Sequence, residues 1–241
     1  AGAYYTGVYD PHLISVSHKL YDAEGIFLDV GANIGFYTIA IGTHIKKINR
    51  TGKVYAFEPF AANHKRLQEN IRLNNLHGVC LTNEIALSDK AGEECIVLRD
   101  DFLNGASTGN ASIAINGSFD HGFKRETVQI DTLDNLWSEI SGSRISFIKL
   151  DIEGHEDFFL KGASETLSKN RPIILMEVNK PFYVARNISP DAALLTNIPD
   201  KYYVYMYSKN GWIKINSLSE CKMLDNVLLI PEEKKQIMEK L

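Results

Sequence analysis

The twelve residues from Phe27 to Thr38 constrain the fold of this chain more than any other stretch. An apolar run that contains one acid, Asp29, is followed by a turn in which Gly31 and Gly35 flank Asn33, and helical spacing begins directly afterwards. Glycine lets a backbone turn sharply and approach a ligand closely, and asparagine is among the few other residues that tolerate left-handed dihedral angles. The stretch therefore predicts a strand, a ligand-binding loop and a helix, in that order.

The acid near the end of this strand narrows the choice of ligand. A carboxylate at Asp29 repels a diphosphate and attracts an ammonium group, because like charges repel and opposite charges attract. The helix that opens after Gly35 aims unpaired N–H groups into the same space and favours a negative group there. S-adenosylmethionine carries both an ammonium and a carboxylate, so it is the cofactor that this loop predicts.

Glu58 ends the next predicted strand and supports the same interpretation. In a doubly wound sheet, an acid at this position lies beside the first loop and can accept hydrogen bonds from the two hydroxyls of a ribose. A dinucleotide fingerprint is not formed, because Gly-x-Gly-x-x-Gly placed on residues 31, 33 and 36 finds Gly, Asn and Phe. A P-loop also fails, since no Gly-Lys-Ser/Thr follows at the required spacing.

Apolar runs and helical periodicity alternate along most of the chain, which predicts an α/β fold with parallel strands and right-handed crossovers. The predicted strands of this rhythm are residues 26–30, 53–58, 79–84, 145–151 and 173–178, and the helices are 36–47, 61–73, 133–140 and 157–168. A short helix is predicted over 191–196. Three closing strands over 202–208, 211–215 and 226–230, with antiparallel pairing allowed, precede a charged C-terminal helix.

Two segments depart from this rhythm. Residues 91–130 contain short β-like runs (94–98, 112–115 and 126–130) separated by Gly, Asn and Ser, which predicts a β-rich insertion; its part from Phe102 to Phe123 is a candidate wall for the substrate. Residues 1–25 place Leu13, Val16 and Leu20 at helical spacing and form a candidate lid or cap over the ligand site. We therefore expect a single domain over residues 26–241 with this N-terminal cap.

Five segments together resemble the FkbM-type S-adenosylmethionine-dependent methyltransferases. They are residues 28–38, 56–59, 86–89, 132–134 and 148–156, and they span most of residues 26–178 in the order and spacing of that family. The resemblance implies a Rossmann-like class I methyltransferase fold with a mostly parallel seven-stranded sheet. The first 25 residues and the chain beyond about residue 181 match less clearly.

The resemblance also implies which residues bind the cofactor. It places Asp29, Gly31, Asn33 and Gly35 around the methionine part, with Thr38 in the same cofactor-binding set, and Glu58 on the ribose. Ala86, Ser88 and Asp89 would lie near the adenine.

Lys149, Asp151 and His155 are the catalytic candidates. Strand alternation puts Lys149 and Asp151 on one face, directed to the crevice beside the first strand, and a buried lysine needs a charged partner such as Asp151 or a neighbouring acid. The pair is then either a structural ion pair or part of the methyl-transfer site. His155 titrates near neutral pH when unperturbed, which makes it a candidate general base, although the start of a helix also suits a capping role.

A metal site is a less favoured alternative at the same edge of the sheet. Asp151, Glu177 and Asn179 could converge as oxygen ligands of a hard divalent cation that orients and acidifies an acceptor hydroxyl, as in catechol-type methyltransferases. Without a metal, the same side chains could hydrogen-bond sugar hydroxyls.

Charge and composition restrict the partners. The 241 residues carry a net charge of −4, which gives no basic surface for nucleic acid, and no apolar run is long enough to span a membrane, so we expect a soluble, cytoplasmic protein.

The expected function is methylation of a hydroxyl or carboxyl on a small-molecule or glycan acceptor: a sugar, glycolipid or other secondary metabolite. An RNA ribose 2′-O-methyltransferase and a non-catalytic module that binds S-adenosylmethionine stay as alternatives, and the oligomeric state is open.

Overall fold

The computed structural model describes residues 10–98, 111–113, 124–140 and 143–241. Its strands are β1 (Ile26–Val30), β2 (Lys53–Phe57), β3 (Cys80–Asn83), β4 (Ala86–Leu87), β5 (Gly92–Leu98), β6 (Ala111–Ile113), β7 (Lys124–Asp131), β8 (Ile145–Leu150), β9 (Ile173–Asn179), β10 (Tyr202–Ser208), β11 (Gly211–Ile215) and β12 (Leu224–Pro231). Its α-helices are α1 (Pro11–Leu20), α2 (Phe36–Lys47), α3 (Ala61–Leu73), α4 (Leu133–Ile140), α5 (Glu156–Gly162), α6 (Ser164–Asn170), α7 (Lys180–Ala185) and α8 (Pro190–Leu194). Turns of 3₁₀ helix cover Leu195–Asn197, Leu218–Glu220 and Glu232–Lys240.

Eight strands form the main sheet, in the order β11–β10–β12–β9–β8–β1–β2–β3. The five strands from β9 to β3 are parallel, β12 is antiparallel to both of its neighbours, and β11 forms an antiparallel hairpin with β10. The α/β fold with a mixed, mostly parallel sheet is thus confirmed. The sheet has one strand more than the seven that the family resemblance implies, and the additional strand is the edge strand β11.

Alternating side chains along the strands build a hydrophobic core on each face of this sheet. On β1, Leu28 and Val30 pack into the core shared with α4 to α8, whereas Phe27 packs into the core shared with α1, α2 and α3. Asp29 lies on the same face as Phe27. On β8, Phe147 also belongs to the core under α1 and α2, so Lys149 faces the same helices as Asp29.

Two helical predictions differ in detail from the structure. The helix predicted over 157–168 is divided into α5 and α6, because Ala163 between them leaves helical geometry with φ −117° and ψ 7°. The charged C-terminal helix is a run of 3₁₀ turns over Glu232–Lys240 that buries no residue. A packed apolar face stabilises a long α-helix, and this segment packs the partly buried Ile237 and Met238 against the core without burying either side chain fully.

The insertion contributes a second sheet in the order β4–β7–β5–β6. β4 pairs in parallel with β7, and β5 is antiparallel to both β6 and β7. This confirms the β-rich excursion. The segment from Phe102 to Phe123, proposed as a substrate wall, lies outside the described residues except for Ala111–Ile113, as do residues 114 and 115 of the strand predicted over 112–115.

The N-terminal segment forms helix α1, whose buried residues Leu13, Val16 and Leu20 are those that the spacing indicates. Residues 1–9 of the proposed cap lie outside the described part of the chain. Among the described helices, none combines the length and apolar character needed to cross a membrane.

Candidate active site

The loop between β1 and α2 adopts the left-handed geometry that its sequence predicts. Gly31, Asn33 and Gly35 have φ values of +78°, +52° and +97°. A Cβ at Gly31 would lie 1.9 Å from the carbonyl oxygen of Asp151, and one at Gly35 would lie 2.5 Å from Leu67. Both positions therefore need glycine for space as well as for backbone conformation.

Asp29 is buried at the edge of this loop, with 1% of its surface exposed. Its Oδ2 accepts a 2.6 Å hydrogen bond from the Thr38 hydroxyl on α2, while its Oδ1 has no hydrogen-bond partner in the described part of the chain. Burial raises the pKa of Asp29, and the nearby Lys149 ammonium partly offsets that rise. A buried carboxylate oxygen without a donor is costly, so a donor supplied by a ligand would stabilise the site.

Glu58 connects the loop to the end of β2. Its two oxygens accept backbone N–H groups of Asn33 at 2.8 Å and of Phe60 at 3.0 Å. Burial raises the pKa of Glu58 to about 7, although these hydrogen bonds act in the opposite direction. The structure therefore brings Glu58 to the loop that contains Asn33, as the sequence predicts.

Lys149 lies beside Asp29 in the paired strands β1 and β8 and has 6% of its surface exposed. Its ammonium forms a 2.9 Å ion pair with Asp151 Oδ2 and donates to the carbonyl of Gly31 at 3.4 Å. The ring of Tyr37 on α2 lies 5.3 Å from the same ammonium. The charged partner predicted for this lysine is present, and the pair adjoins the glycine loop.

His155 contacts Ser88, in the segment that the sequence predicts to lie near the adenine. Its Nε2 lies 2.9 Å from the Ser88 hydroxyl, and its ring stacks on Phe158 at 4.4 Å. Burial lowers the pKa of His155 to about 3, with further lowering from nearby cations such as Arg186. The imidazole is therefore neutral at physiological pH and is a weak base.

The three residues predicted near the adenine lie together after β3. Ala86 begins β4, and the hydroxyl of Ser88 lies 3.4 Å from Asp89 Oδ1 as well as near His155. Gly162 of α5 packs directly on this segment, because a Cβ there would lie 1.9 Å from the Ser88 carbonyl. The segment is thus held against the helix that follows the β8 loop.

Three carboxyl groups converge at the carboxyl ends of β8 and β9. Asp151, Glu153 and Glu177 each place an oxygen within 4.8 Å of the others. Glu153 joins the predicted Asp151 and Glu177 here, and the amide nitrogen of Asn179 lies 3.4 Å from Glu153 Oε2. Burial and the neighbouring acids raise the pKa of Glu177 to about 10, so Glu177 holds a proton at neutral pH.

This donor set suits a hard divalent cation by chemistry, since all three groups offer carboxylate oxygens. Asp151, however, already has the Lys149 ammonium as its counter-charge. The cluster can therefore exist as a hydrogen-bonded and ion-paired group without a metal.

Glu156 shapes the loop that carries these acids. It is buried, its Oε1 accepts the backbone N–H groups of Ile152 at 3.1 Å and Gly154 at 3.2 Å, and its Oε2 accepts the Tyr183 hydroxyl at 2.5 Å. Sequence reasoning did not assign a role to Glu156 or Glu153, although both lie in the segment 148–156. The positive φ of Glu153, +53°, cannot be read from a sequence without knowledge of the loop.

The strand order and the site at the carboxyl ends of β1, β2, β8 and β9 define a class I methyltransferase fold. The methyltransferase FkbM domain matches residues 29–205, well over half of the chain. The chain belongs to the FkbM methyltransferase family. Comparison with curated proteins finds no significant match.

Solved structures support the fold. The methyltransferase FkbM from Methylobacillus flagellatus KT aligns with a TM-score of 0.52 and 19% identity over 86% of this chain and 43% of that one. This chain thus spans less than half the length of that protein. A candidate rRNA methylase from Clostridium thermocellum aligns with a TM-score of 0.51 and 7% identity over 91% and 92% of the two chains.

Proposed function

We propose that this protein transfers a methyl group from S-adenosylmethionine to an oxygen of a small-molecule or glycan acceptor. The observation that carries the proposal is the cluster of charged residues around one glycine loop. It contains Asp29, whose buried Oδ1 has no hydrogen-bond partner among the described residues, Glu58 at the end of β2, and Lys149 paired with Asp151. The acceptor oxygen would belong to a hydroxyl or carboxyl of a sugar, glycolipid or secondary metabolite, as the family resemblance implies.

The residues of the glycine loop fit the cofactor on physical grounds. The Oδ1 of Asp29, which has no hydrogen-bond partner among the described residues, suits an ammonium donor. Gly31 and Gly35 let the loop pack closely on Asp151 and Leu67, which fixes the loop beside Asp29. Glu58 accepts two backbone N–H groups and a side-chain hydrogen bond from Asn63, which leaves about one of its roughly four lone-pair positions for a ribose hydroxyl. Thr38 supports this arrangement by orienting Asp29.

When bound, S-adenosylmethionine supplies a methyl group on a positively charged sulfur, which is already a good methyl donor. The work of the protein is therefore mainly positioning. Asp151 has 22% of its side chain exposed, so an acceptor can reach it, and we assign it to hold the acceptor hydroxyl and take its proton. Lys149 orients Asp151 through the 2.9 Å ion pair.

His155 receives a positioning role in this proposal. A neutral imidazole with a strongly lowered pKa is a poor proton acceptor at pH 7, and its contacts with Ser88 and Phe158 direct it to the adenine side. It would hold the segment around Ser88 in place for the cofactor.

Calorimetry with S-adenosylhomocysteine tests the cofactor part. We expect the wild type to bind and Asp29→Asn and Glu58→Gln to weaken binding about tenfold or more, because each removes a charge-assisted hydrogen bond in a buried site. Asp22→Asn and Glu24→Gln are matched controls, since both acids are exposed and form surface ion pairs with Arg144 and Arg50. Absence of wild-type binding would overturn the proposal, and unchanged binding in both site variants would overturn the residue assignment.

A panel of acceptors tests the chemistry. Transfer of a labelled methyl group to a hydroxylated sugar, glycolipid or small metabolite, lost in Asp151→Asn, is the expected result. Cofactor binding without transfer across the panel would favour a non-catalytic module, and transfer only to RNA riboses would favour the ribose-methylating alternative.

A further inference from the structure

Tyr37 connects the site to the N-terminal helix. It is the second residue of α2, it is buried, and its ring lies 5.3 Å from the Lys149 ammonium. Its hydroxyl donates a 3.3 Å hydrogen bond to Asp10 Oδ2. The face of the Tyr37 ring thus contacts Lys149, and its hydroxyl contacts the carboxylate of Asp10, which lies outside the glycine loop.

Asp10 is held at the start of α1. It precedes Pro11, adopts a left-handed φ of +42°, and its carbonyl accepts the N–H of Ile14 at 3.1 Å. Burial raises the pKa of Asp10, and the Tyr37 hydrogen bond and the charge of Lys149 act against that rise. The charge of Lys149 therefore stabilises the ionised carboxyl of Asp10.

A lysine side chain has a long flexible stem, so its ammonium is placed by the groups around it. At Lys149 those groups include Asp151, the Gly31 carbonyl and the face of Tyr37. Cation–π attraction depends on the ring staying under the cation, and the hydrogen bond to Asp10 holds the ring by its far end. Loss of that bond would loosen one of the contacts that place the Lys149 ammonium.

We propose that Tyr37 and Asp10 are a positioning pair that holds Lys149 in the cofactor site and thereby couples helix α1 to cofactor binding. The inference rests on the proposed function, because it takes the site around Lys149 to be the cofactor site. In this proposal α1 is a cap that is attached to the cofactor site through Asp10 and Tyr37.

The chain contains a matched control for this arrangement. Outside the glycine-loop site, the Lys214 ammonium lies 3.8 Å from the ring of Tyr203, whose hydroxyl donates to Glu232 Oε1 at 2.7 Å. The chemistry of lysine, tyrosine ring and carboxylate is the same, but this group belongs to β10, β11 and the C-terminal turns.

The experiment measures S-adenosylhomocysteine affinity by calorimetry in Tyr37→Phe, Asp10→Asn and the double variant. We expect each single variant to weaken binding about fivefold, as for one lost hydrogen bond, and the double variant to be no weaker than the worse single variant. Asp10→Glu, which keeps a carboxylate, should retain most of the affinity. Tyr203→Phe and Glu232→Gln should change the affinity less than about twofold.

Repeating both substitutions in the Lys149→Met variant distinguishes an effect on the position of Lys149 from a general effect on the fold. If the pair acts through Lys149, Tyr37→Phe and Asp10→Asn cause no further loss in that background. A loss of the same size in both backgrounds, or additive losses in the double variant, would overturn the proposal.

Hydrogen exchange gives a second readout that does not depend on weak affinities. In the wild type and in Tyr203→Phe, saturating S-adenosylhomocysteine should slow exchange of the α1 amides, and in Tyr37→Phe this protection should be reduced. Equal protection in Tyr37→Phe and wild type would contradict the coupling. Failure of the wild type to bind S-adenosylhomocysteine would instead remove the proposed function itself.

Discussion

Asp29 and Glu58 are buried acids at the ends of neighbouring strands, and both carry raised pKa values because the protein removes them from water. Glu58 is the more informative of the two, since its pKa of about 7 lies within an accessible pH range. Its position could be predicted from the sequence, because strand alternation and strand order place it beside the glycine loop. Its acidity could not, because burial depends on how the loop and α3 cover it.

The raised pKa of Glu58 predicts a pH dependence of stability. The folded protein binds a proton at Glu58 more tightly than the unfolded chain, so the contribution of Glu58 to stability is greatest below its ordinary value of 4.5 and is lost as the pH rises through about 7. Glu58→Gln should remove this loss, on the order of 3 kcal/mol relative to wild type between pH 4.5 and pH 8. Urea unfolding across that range measures it.

Other acids with raised pKa values, such as Asp29 and Glu177, give stability a pH dependence of the same sign. Their contributions are the same in wild type and in Glu58→Gln, so they cancel in the difference between the two proteins. A constant difference in unfolding free energy between wild type and Glu58→Gln across the range would contradict the burial effect.

At the scale of elements, two loops form the site by touching each other. The loop after β1 and the loop after β8 meet where Gly31 faces the Asp151 carbonyl, and the second loop is held by Glu156 and Tyr183. The sequence predicts the first loop well, because its glycines and asparagine have a local conformational meaning. It does not predict the conformation of the second, because Glu156 acts on backbone groups through contacts that include the distant Tyr183.

Gly31→Ala tests this contact between loops. A Cβ at a φ of +78° and 1.9 Å from a backbone oxygen forces the loops apart, so we expect a loss of about 2–4 kcal/mol in unfolding free energy. Gly78→Ala is the control, because a Cβ there meets nothing within 4 Å. A loss no larger in Gly31→Ala than in Gly78→Ala, measured by urea unfolding, would contradict the packing.

On the scale of the whole molecule, a hydrophobic core packs on each face of the main sheet, and charged residues of the candidate site lie on one of these faces. Asp29, Lys149 and Glu177 come from three neighbouring strands and all face the side covered by α1 and α2. The protein as a whole carries a net charge of −4, and the site adds several carboxyl groups around one ammonium. This distribution opposes a polyanion and is compatible with a cofactor that carries positive charge.

The same charge distribution predicts that the protein does not bind RNA. We expect no measurable binding of single-stranded or double-stranded RNA oligonucleotides at about 150 mM salt, because phosphate contacts need clustered lysine and arginine side chains. Filter binding at several salt concentrations measures this. Salt-sensitive RNA binding that S-adenosylhomocysteine strengthens would instead support the ribose-methylating alternative.

The sequence by itself determined the parts of this protein whose cause is local. Glycine and asparagine conformations, strand alternation and the order of strands and helices predicted the α/β fold, the loop at Gly31 and the placement of Asp29, Glu58 and Lys149. These follow from residue-level sterics and periodicity, which a single sequence contains.

Only the tertiary structure decided which distant groups complete the site. Glu153 converges with Asp151 and Glu177, His155 is directed to Ser88, and Asp10 reaches Tyr37. The same holds for the acidities, since burial sets the pKa of Glu58, Glu177 and His155. The physical reason is that burial and electrostatic coupling depend on distances between elements, and those distances exist only after the sheet and its helices have packed.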